Sequence, residues 1–340
     1  MSGTEVPSRH PASIRDVARA AGVSRQTVSR VINSHPSLRP ETRDRVLAAI
    51  DELQYRPNRV ARALGASRSH TIGVLAYHRS QYGPSAAILG IEAAAQAAGY
   101  VVNTINLTSN TPDSIREALE LQLAHQVDGL VIVAPQTRIL REIDDADLDL
   151  PYVLLHARER DDPHALFVDQ TAGARAITRH LIDLGHRDIY HLAGPRDWIE
   201  AEARMQGFLY ELDEADLPVT APVLGDWTAD FGYFAGRELA RTADFTAVFA
   251  GNDQMALGVL HALRDSGLDV PGQVSVVGFD DIPEAAHFWP PLTTVRQDYL
   301  ELGRQCVARL LRAGDQEVIE LNAPLAPQLV VRQSTGPVGR

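Results

Sequence analysis

The sequence predicts an all-α N-terminal module followed by a larger α/β body that contains two parallel sheets. In residues 13–65, apolar side chains recur at helical spacing and no strand pattern appears. From residue 71 onward, short apolar runs alternate with helical patterns, which is typical of parallel strands joined by right-handed crossovers. The body contains about ten such strands, more than one sheet accommodates comfortably, so we expect two α/β subdomains.

Composition and charge support the same division. The chain has 340 residues, of which 45% are hydrophobic and 22% are charged, as in ordinary globular proteins. Residues 1–68 hold 12 arginines and 6 acidic residues, a net charge of +6. The rest of the chain holds 20 arginines and 38 acidic residues, a net charge of −18. A basic module on an acidic body favours a nucleic-acid-binding head.

Several function classes lack their sequence signatures. No apolar run approaches the roughly 18 residues of a membrane span, and the N-terminus lacks the apolar region of a secretory signal. We therefore expect a cytoplasmic protein. The single cysteine, Cys306, excludes an intrachain disulfide framework, and its apolar surroundings indicate a buried thiol. The histidines lack metal-ligand spacing, and no P-loop, GxGxxG or nucleophile elbow appears, so we expect neither an enzyme nor a cofactor or metal.

The N-terminal module begins with two short helices joined by a tight turn. Ser13 and Asp16 have the spacing of a capping box, and Gly22 tolerates the left-handed backbone at the end of the first helix. Ser24 is positioned to cap the second helix. The apolar stripes of the two helices consist of Ile14, Val17, Ala18 and Ala21, and of Val28, Val31 and Ile32.

The outer face of the second helix carries side chains suited to reading DNA. Arg25 and Ser29, like Gln26 and Arg30, are four residues apart and project together. Arginine can bind guanine, and glutamine can bind adenine, through two hydrogen bonds each. Two short helices of this kind are typical of a helix-turn-helix. The spacing alone also fits an αα-hairpin with a solvated arginine face.

Two further segments extend the module. Pro40 has the position of a first helical residue, and a third apolar stripe consists of Val46, Ala49, Ile50 and Leu53. Residues 57–65 are helix-patterned but shorter than the ~12–15 residues that an isolated helix requires. We therefore expect this segment to be unfolded until a partner holds it.

The run DVARAAGVSRQTVSRVIN, together with PETRDRVLAAIDELQYRPNRVARALG, resembles the DNA-binding headpiece and hinge of the LacI family of transcriptional regulators. The resemblance implies that the second helix enters the major groove of DNA and that the hinge folds on DNA. It also implies that Leu64 wedges into the minor groove. The residues expected to contact DNA are Ser24, Arg25, Gln26, Thr27, Ser29, Arg30, Asn33, Asn58, Arg59, Ala61 and Leu64.

The predicted strands of the body cover residues 71–76, 100–105, 129–134, 152–155, 165–168, 189–193, 247–250 and 274–279. Ligands of open α/β sheets bind at the carboxyl ends of the strands, so the polar residues there are candidates for a binding site. These residues are Tyr77, His78, Asp169, Gln170, Asn252, Asp253, Asp280 and Asp281. For Asp169 and Asp253 the alternative is to cap the next helix, and Asp281 can serve as a cap in place of Asp280.

The body also resembles the effector-binding core of the LacI family, which is similar to periplasmic sugar-binding proteins. The runs that carry the resemblance include LAGP, GNDQMALG, SVVGFDD and PPLTTVRQD. It implies that Arg204, Asn252 and Asp280 bind sugar hydroxyls and that Trp227 lies against the sugar ring. Core packing is the alternative for Trp227, but its place after Gly-Asp in a loop indicates exposure.

Four more positions belong to the pocket that the resemblance implies. Phe167 and Tyr299 occupy its aromatic or apolar walls. Tyr77 and His156 depart from the side chains that the resemblance leads us to expect there, so they leave the identity of the sugar open.

The resemblance implies a sequence-specific repressor that binds a pseudo-palindromic operator as a homodimer and is released by a small sugar inducer. The alternative within the family is a purine or phosphosugar that acts as a corepressor. An Ala- and Ile-rich helix at 85–98 suits a subunit contact, although a core helix has the same composition. The C-terminal run VVRQSTGPVGR lacks the heptads of a tetramer-forming helix. The expected domains are a headpiece at 1–56, a hinge at 57–69 and a core at 70–340, whose subdomains are about 70–167 with 297–324 and 168–296 with 325–335.

Overall fold

The structure, a computed structural model, describes residues 12–32, 38–55, 68–77, 81–155, 162–242, 244–314 and 323–338. The chain divides into two compact units. We call Met1–Ser69 the headpiece and His70–Arg340 the core.

Within its described residues the headpiece has three helices: α1 (Ile14–Ala21), α2 (Arg25–Ile32) and α3 (Pro40–Glu52). The carboxylate of Asp16 accepts hydrogen bonds from the amide and the hydroxyl of Ser13, at 3.0 and 2.6 Å, and this fixes the start of α1. Gly22 ends α1 with a left-handed φ of 64°, as predicted. The apolar stripes of the three helices meet in one cluster formed by Val17, Ala18, Ala21, Val28, Val31, Val46 and Ala49.

The first half of the core forms a lobe around a parallel sheet, which we call the N-lobe. Its elements are β1 (Thr71–Ala76), α4 (Tyr82–Ala97), β2 (Val101–Asn106), α5 (Pro112–Ala124), β3 (Gly129–Val133), α6 (Thr137–Asp145) and β4 (Tyr152–Leu154). The strands lie in the order β2-β1-β3-β4. Strand β3 is buried along its whole length, as expected for a central strand covered by helices on both faces.

The second half forms the C-lobe, which repeats this architecture. Its elements are α7 (Gln170–Asp183), β5 (Ile189–Ala193), α8 (Ile199–Glu214), β6 (Val223–Leu224), α9 (Ala229–Thr242), β7 (Ala247–Ala250), α10 (Asp253–Asp265) and β8 (Ser275–Val277). The strands lie in the parallel order β6-β5-β7-β8. A short 3-10 helix, Pro283–His287, follows β8.

The last elements are β9 (Thr294–Arg296), α11 (Tyr299–Gly314) and β10 (Gln328–Val330). Strands β9 and β10 pair with each other in antiparallel fashion. Helix α11 returns to the N-lobe and packs against α4 at backbone distance, because glycines face each other there. A Cβ added to Gly303 would lie only 2.3 Å from the carbonyl carbon of Gly90. The buried Cys306 of this helix confirms the prediction of a buried thiol.

The two-sheet α/β architecture predicted for the body is confirmed, with one strand placed wrongly. Residues 165–168 form no regular strand; Ala165 bridges to Leu154 and Val168 bridges to Leu325, one residue pair each. The segment is a crossover between the lobes, so its apolar side chains are buried without a continuous ladder. The sequence analysis did not predict α6. It also did not predict β6, β9 and β10, because these strands contain only two or three residues each.

Helix α4, which the sequence suggested as a subunit contact, uses much of its apolar face within the chain. Ile88, Ile91 and Ala95 are buried in the N-lobe core, whereas Leu89 is 61% exposed. None of the described helices is long and apolar enough to cross a membrane.

Candidate functional site

The second helix of the headpiece presents a polar face. Val28 and Val31 are buried, so Arg25, Gln26 and Arg30 project outward and are exposed. Their guanidinium and amide groups are therefore accessible to base edges in a DNA groove.

The smaller polar residues of this helix serve its start. The amide of Thr27 donates to the Ser24 hydroxyl at 3.1 Å, and the two hydroxyls lie 2.9 Å apart, so Ser24 caps α2 as predicted. Ser29 is partly buried. Five further residues predicted to contact DNA lie outside the described residues: Asn33, Asn58, Arg59, Ala61 and Leu64.

A cavity of about 400 Å³ lies between the two lobes of the core. Side chains from the N-lobe, the C-lobe and the start of α11 line it. Six residues predicted for the pocket are among them: Phe167, Arg204, Trp227, Asn252, Asp280 and Tyr299. Tyr77 is not among the lining residues and packs against the N-lobe core. His156 lies outside the described residues.

A closed ring of four polar side chains forms the C-lobe wall of the cavity. Arg204 Nε donates to Gln170 Oε1 at 3.0 Å, and Gln170 Nε2 donates to Gln297 Oε1 at 2.6 Å. Gln297 Nε2 then donates to Asp280 Oδ1 at 2.7 Å, and Arg204 closes the ring with a hydrogen bond to the same oxygen at 3.2 Å. Because each member is held by two others, the wall is ordered before any ligand enters.

Four separate elements supply this ring. Gln170 begins α7, Arg204 lies in α8, and Gln297 follows β9. Asp280 follows β8 with a left-handed φ of 108°, an unusual backbone for a residue other than glycine. Its amide donates to Val295 at 2.9 Å, which places the carboxylate at the cavity. Residues held in such conformations cluster at functional sites.

Asp280 is a buried carboxylate in the cavity wall with a shifted pKa. Only 6% of its surface is exposed. Burial raises the pKa of Asp280 from 3.8 to about 6, and the adjacent Arg204 opposes part of that rise. Both ring hydrogen bonds end on Oδ1, and no donor among the described residues reaches Oδ2. That oxygen is an acceptor that a ligand can use.

A second carboxylate lies beneath the first. Asp253 is fully buried and accepts hydrogen bonds from the Thr294 hydroxyl at 2.6 Å and the Ile282 amide at 2.9 Å. Burial and the charge of Asp280 raise the pKa of Asp253 well above its ordinary value. Asp253 therefore supports the loop that carries Asp280. The alternative role, a cap of α10, is taken by Asn252 instead.

The neighbouring Asp281, which the sequence offered as a possible cap, does not cap a helix either. It forms ion pairs with Arg296 and Arg332, both at 2.6 Å. Asp169 does cap: it accepts a hydrogen bond from the Ala172 amide at 2.9 Å. The three carboxylates thus have separate roles, although all three follow predicted strands in the sequence.

Asn252 has a structural role in addition to its place in the lining. Its Oδ1 caps α10 by accepting from the Met255 amide at 2.9 Å. Its Nδ2 donates to the carbonyl of Trp227 at 3.1 Å and to Gln254 at 2.9 Å. Both amide hydrogens are therefore engaged, and Asn252 positions the loop of Trp227.

Trp227 is buried, with 5% of its surface exposed, so the expectation of an exposed loop residue is wrong. Its ring fits over Gly194, where an added Cβ would lie 2.1 Å from the indole, and meets the edge of Trp198 at 5.5 Å. The guanidinium of Arg204 lies 5.5 Å from the ring centroid. The indole is thus both a core residue and a wall of the cavity.

The opposite wall is also aromatic. Tyr299 and Tyr82 meet edge to face at 6.1 Å. Burial, followed by the charge of Asp280, raises the pKa of both phenols, so each remains a hydrogen-bond donor at neutral pH. Among the described residues there is no cluster of metal-ligating side chains.

Sequence reasoning missed several lining residues. Gln297, Tyr82, Trp198 and Glu200 follow no pattern that marks a site. Gln170 lies at a predicted strand end, but that position alone assigns it no role. Only the hydrogen-bond ring shows that the two glutamines belong together.

A helix-turn-helix headpiece on one chain with a two-lobed α/β core and an interlobe cavity defines a class, the ligand-responsive DNA-binding regulators. Residues 13–58 match the family model "bacterial regulatory proteins, lacI family", and residues 178–335 match the periplasmic binding protein-like domain.

Individual relatives extend over nearly the whole chain. The lactose operon repressor of Escherichia coli (strain K12) is 34% identical over 327 residues, which cover 96% of this chain and 91% of that protein. The HTH-type transcriptional repressor PurR of Vibrio parahaemolyticus is 33% identical over 329 residues, which cover 95% and 98%. A crystal structure of the lac repressor dimer bound to operator and the anti-inducer ONPF matches with a TM-score of 0.89 at 34% identity, over 96% of this chain and 100% of that one.

This chain therefore belongs to the lacI family of bacterial regulatory proteins. It is a DNA-binding transcriptional repressor and not an enzyme.

The raised pKa of Asp280 leads to a pH-dependent prediction. The carboxyl of Asp280 has a pKa of 3.8 in the unfolded chain and about 6 in the folded protein. Folding therefore favours the protonated carboxyl, and the free energy of unfolding falls as the pH rises from 3.8 through about 6. Between pH 5 and pH 7.5 this loss is about 1 kcal/mol. The neutral side chain in Asp280→Asn still accepts from Arg204 and avoids the loss. We expect the free energy of unfolding of the variant to rise by about 1 kcal/mol relative to that of the wild type between these two pH values.

Urea denaturation of both proteins, followed by far-UV circular dichroism at pH 5 and pH 7.5, measures this gain. The comparison of the two proteins removes the contribution of the titrating groups whose pKa does not depend on the charge of Asp280. An equal free-energy difference at the two pH values would show that Asp280 does not titrate in this range.

Proposed function

We propose that this repressor is released from its operator by a small sugar that binds in the interlobe cavity. The observation that carries the proposal is the closed ring of Arg204, Asp280 and the two glutamines in the cavity wall. It offers a fixed carboxylate acceptor beside fixed nitrogen donors, which is the arrangement that adjacent sugar hydroxyls require.

The aromatic walls support the same ligand class. The indole of Trp227 and the phenols of Tyr82 and Tyr299 present flat apolar surfaces with polar edges. A sugar has the complementary character, with C–H groups on its ring faces and hydroxyls around its rim. Phe167 adds an apolar contact near the crossover between the lobes.

The second candidate is a purine or phosphosugar that acts as a corepressor. The similarity to PurR repressors favours it. The described lining opposes a phosphorylated ligand, since Arg204 is its one basic side chain and is already paired with Asp280. His156 remains a proposed pocket residue by the family resemblance, whereas Tyr77 does not line the cavity.

The remaining assignments follow from family membership. We propose a cytoplasmic homodimer, because a pseudo-palindromic operator requires two headpieces. We propose that the Met1–Ser69 unit consists of a DNA-binding domain at 1–56 and a hinge at 57–69 that folds on DNA, and that the core covers 70–340. Leu64 of the hinge is the proposed wedge in the minor groove.

Release follows from linkage between two sites. The lobes of such cores rotate about their crossovers, and the rotation changes the separation of the two hinges in a dimer. A sugar that prefers the arrangement with separated hinges must weaken operator binding, and the operator must weaken sugar binding equally.

The exposed face of α2 leads to a prediction about sequence preference. Arg30→Ala should remove discrimination at one base pair of each half-site, because a bidentate arginine–guanine contact contributes about 1–3 kcal/mol. Selection from random double-stranded DNA followed by sequencing measures the preference of each protein.

Arg43→Ala is the matched control. Arg43 is an exposed arginine of α3, outside the recognition helix, so its loss should weaken binding to all sequences about equally. If Arg30→Ala selected the wild-type motif with undiminished preference, Arg30 would not read a base.

The polar ring leads to a prediction about induction. Asp280→Ala should give a repressor that binds its operator and no longer responds to the sugar, since truncation of a buried charged partner costs about 2–5 kcal/mol of binding. The sugar used in this experiment is chosen by a thermal-shift screen of free sugars, as the one that raises the melting temperature of the protein most. Fluorescence anisotropy of labelled operator, with increasing sugar, gives the response.

Asp265→Ala, which removes an exposed carboxylate from the end of α10, is the control and should respond as wild type does. Normal release of the Asp280 variant by the sugar would exclude Asp280 from the effector site.

A further inference from the structure

The two lobes also meet at a junction outside the chain segments that connect them. Gln136 precedes α6 of the N-lobe, and Ile199 is the first residue of α8 of the C-lobe. The amide of Ile199 donates to the carbonyl of Pro135 at 2.9 Å, and Gln136 forms an antiparallel bridge with Trp198. We call Pro135, Gln136, Trp198 and Ile199 the clasp. It holds the starts of two helices from different lobes against each other.

Side chains tie the clasp to the apolar clusters of both lobes. Ile199, a C-lobe residue, packs against the N-lobe cluster that contains Leu75 and Ile132. Trp198 is buried in the C-lobe cluster, where it meets the edge of Trp227. A hydrogen bond weakens steeply when its distance or angle departs from the optimum. A rotation of one lobe relative to the other therefore has to break the clasp, because its two halves belong to different lobes.

The clasp also borders the effector cavity. Trp198 and Ile199 line the cavity, and so does Thr137, the first residue of α6. A ligand that fills the cavity therefore contacts residues on both sides of the junction. Such a ligand can favour the closed or the open form of the clasp through those contacts.

Gln136 makes the closed clasp less favourable than its backbone bond alone would suggest. Only 4% of its surface is exposed, and its Oε1 has no hydrogen-bond partner among the described residues. A buried acceptor without a donor is unfavourable, and an opened clasp would give this oxygen access to water. A favourable bond and an unfavourable burial thus lie at adjacent residues. A contact balanced in this way is suited to a switch between two arrangements.

We infer that the clasp is the contact between the lobes that closes and opens as operator DNA and sugar replace each other on the protein. The inference rests on the proposed function, because it names the contact through which the effector cavity regulates the headpiece. Operator and inducer favour different arrangements of the lobes, and the clasp is intact in one of them. One ligand therefore stabilises the clasp and the other opens it.

Amide hydrogen exchange of the full-length protein, resolved to single residues by mass spectrometry, tests the inference. The Ile199 amide lies in the first turn of α8, where no carbonyl of the same helix can accept it, so its protection depends on the clasp. The probes are the duplex that the wild type selects from random DNA and, among glucose, galactose, mannose, lactose and cellobiose, the sugar that raises the melting temperature most. The two should change the exchange rate of this amide in opposite directions, each by at least about threefold.

The Phe231 amide is the matched control. It also lies in the first turn of a C-lobe helix, α9, but it donates to the hydroxyl of Thr228 at 3.1 Å within the same lobe. Its exchange rate should not respond to the duplex.

Two variants should shift the clasp in opposite directions. Ile199→Pro removes the donor and keeps an apolar side chain. Proline is favoured at a first helical position, and the extended backbone of Trp198, with φ −115° and ψ 110°, suits a residue before proline. Gln136→Met removes the unpaired acceptor and keeps the length of the side chain, so it should strengthen the clasp.

The affinities for the duplex and for the sugar should therefore change in opposite directions in the two variants. The change should be about three- to tenfold for the ligand that favours the less populated arrangement. Ala229→Pro is the control for the proline, because Ala229 is the first residue of α9 and no described residue of the N-lobe accepts its amide. It should keep both wild-type affinities.

The outcomes distinguish this inference from the proposed function. If the duplex leaves the exchange of the Ile199 amide unchanged, or if both variants change an affinity in the same direction, the clasp is not the switch, although the sugar site stands. If duplex and sugar change the exchange in the same direction, the sugar acts as a corepressor. The clasp then stands and the proposed release by sugar fails. The same holds if the duplex alone changes the exchange.

Discussion

The ion pair between Arg204 and Asp280 is the interaction on which the effector site depends. Both side chains are buried, and an isolated charge at either position would be strongly unfavourable. Two glutamines convert the pair into a closed ring and satisfy most of its hydrogen-bonding groups. The ring compensates only part of the solvation that Asp280 loses on burial, since the pKa of Asp280 is still raised to about 6. The protein thus holds a carboxylate with incomplete hydrogen bonding. A ligand that supplies hydrogen-bond donors would complete it.

The surrounding fold is organised to maintain this carboxylate. Asp253 anchors the loop that follows β8 from below, through Thr294 and the amide of Ile282. Asp281 anchors the same loop from the side, through Arg296 and Arg332. The left-handed backbone of Asp280 therefore has support on two sides, which is how a strained conformation persists. Asp253 and Asp281 together hold the loop so that the carboxylate of Asp280 lies at the interlobe cavity.

The sequence was sufficient for the fold class and for part of the site, because periodicity depends on local spacing. The stripes of α1 to α3, the caps at Ser13 and Ser24, and most strands were recovered in this way. Residues 165–168 were misplaced, since a buried crossover has the same apolar composition as a buried strand. Trp227 was expected to be exposed because a loop position says nothing about what packs over it. Gln170 and Gln297 are 127 residues apart, and no local pattern links them.

The central claim is that a sugar in the interlobe cavity and operator DNA on the headpiece oppose each other through one conformational equilibrium. The most direct measurement is the affinity for the sugar, by calorimetry, with and without saturating operator, set beside the operator affinity with and without saturating sugar. The account predicts that both affinities fall, and by the same factor, because coupling between two sites is reciprocal. A sugar affinity that is unchanged by operator, or increased by it, would contradict the account.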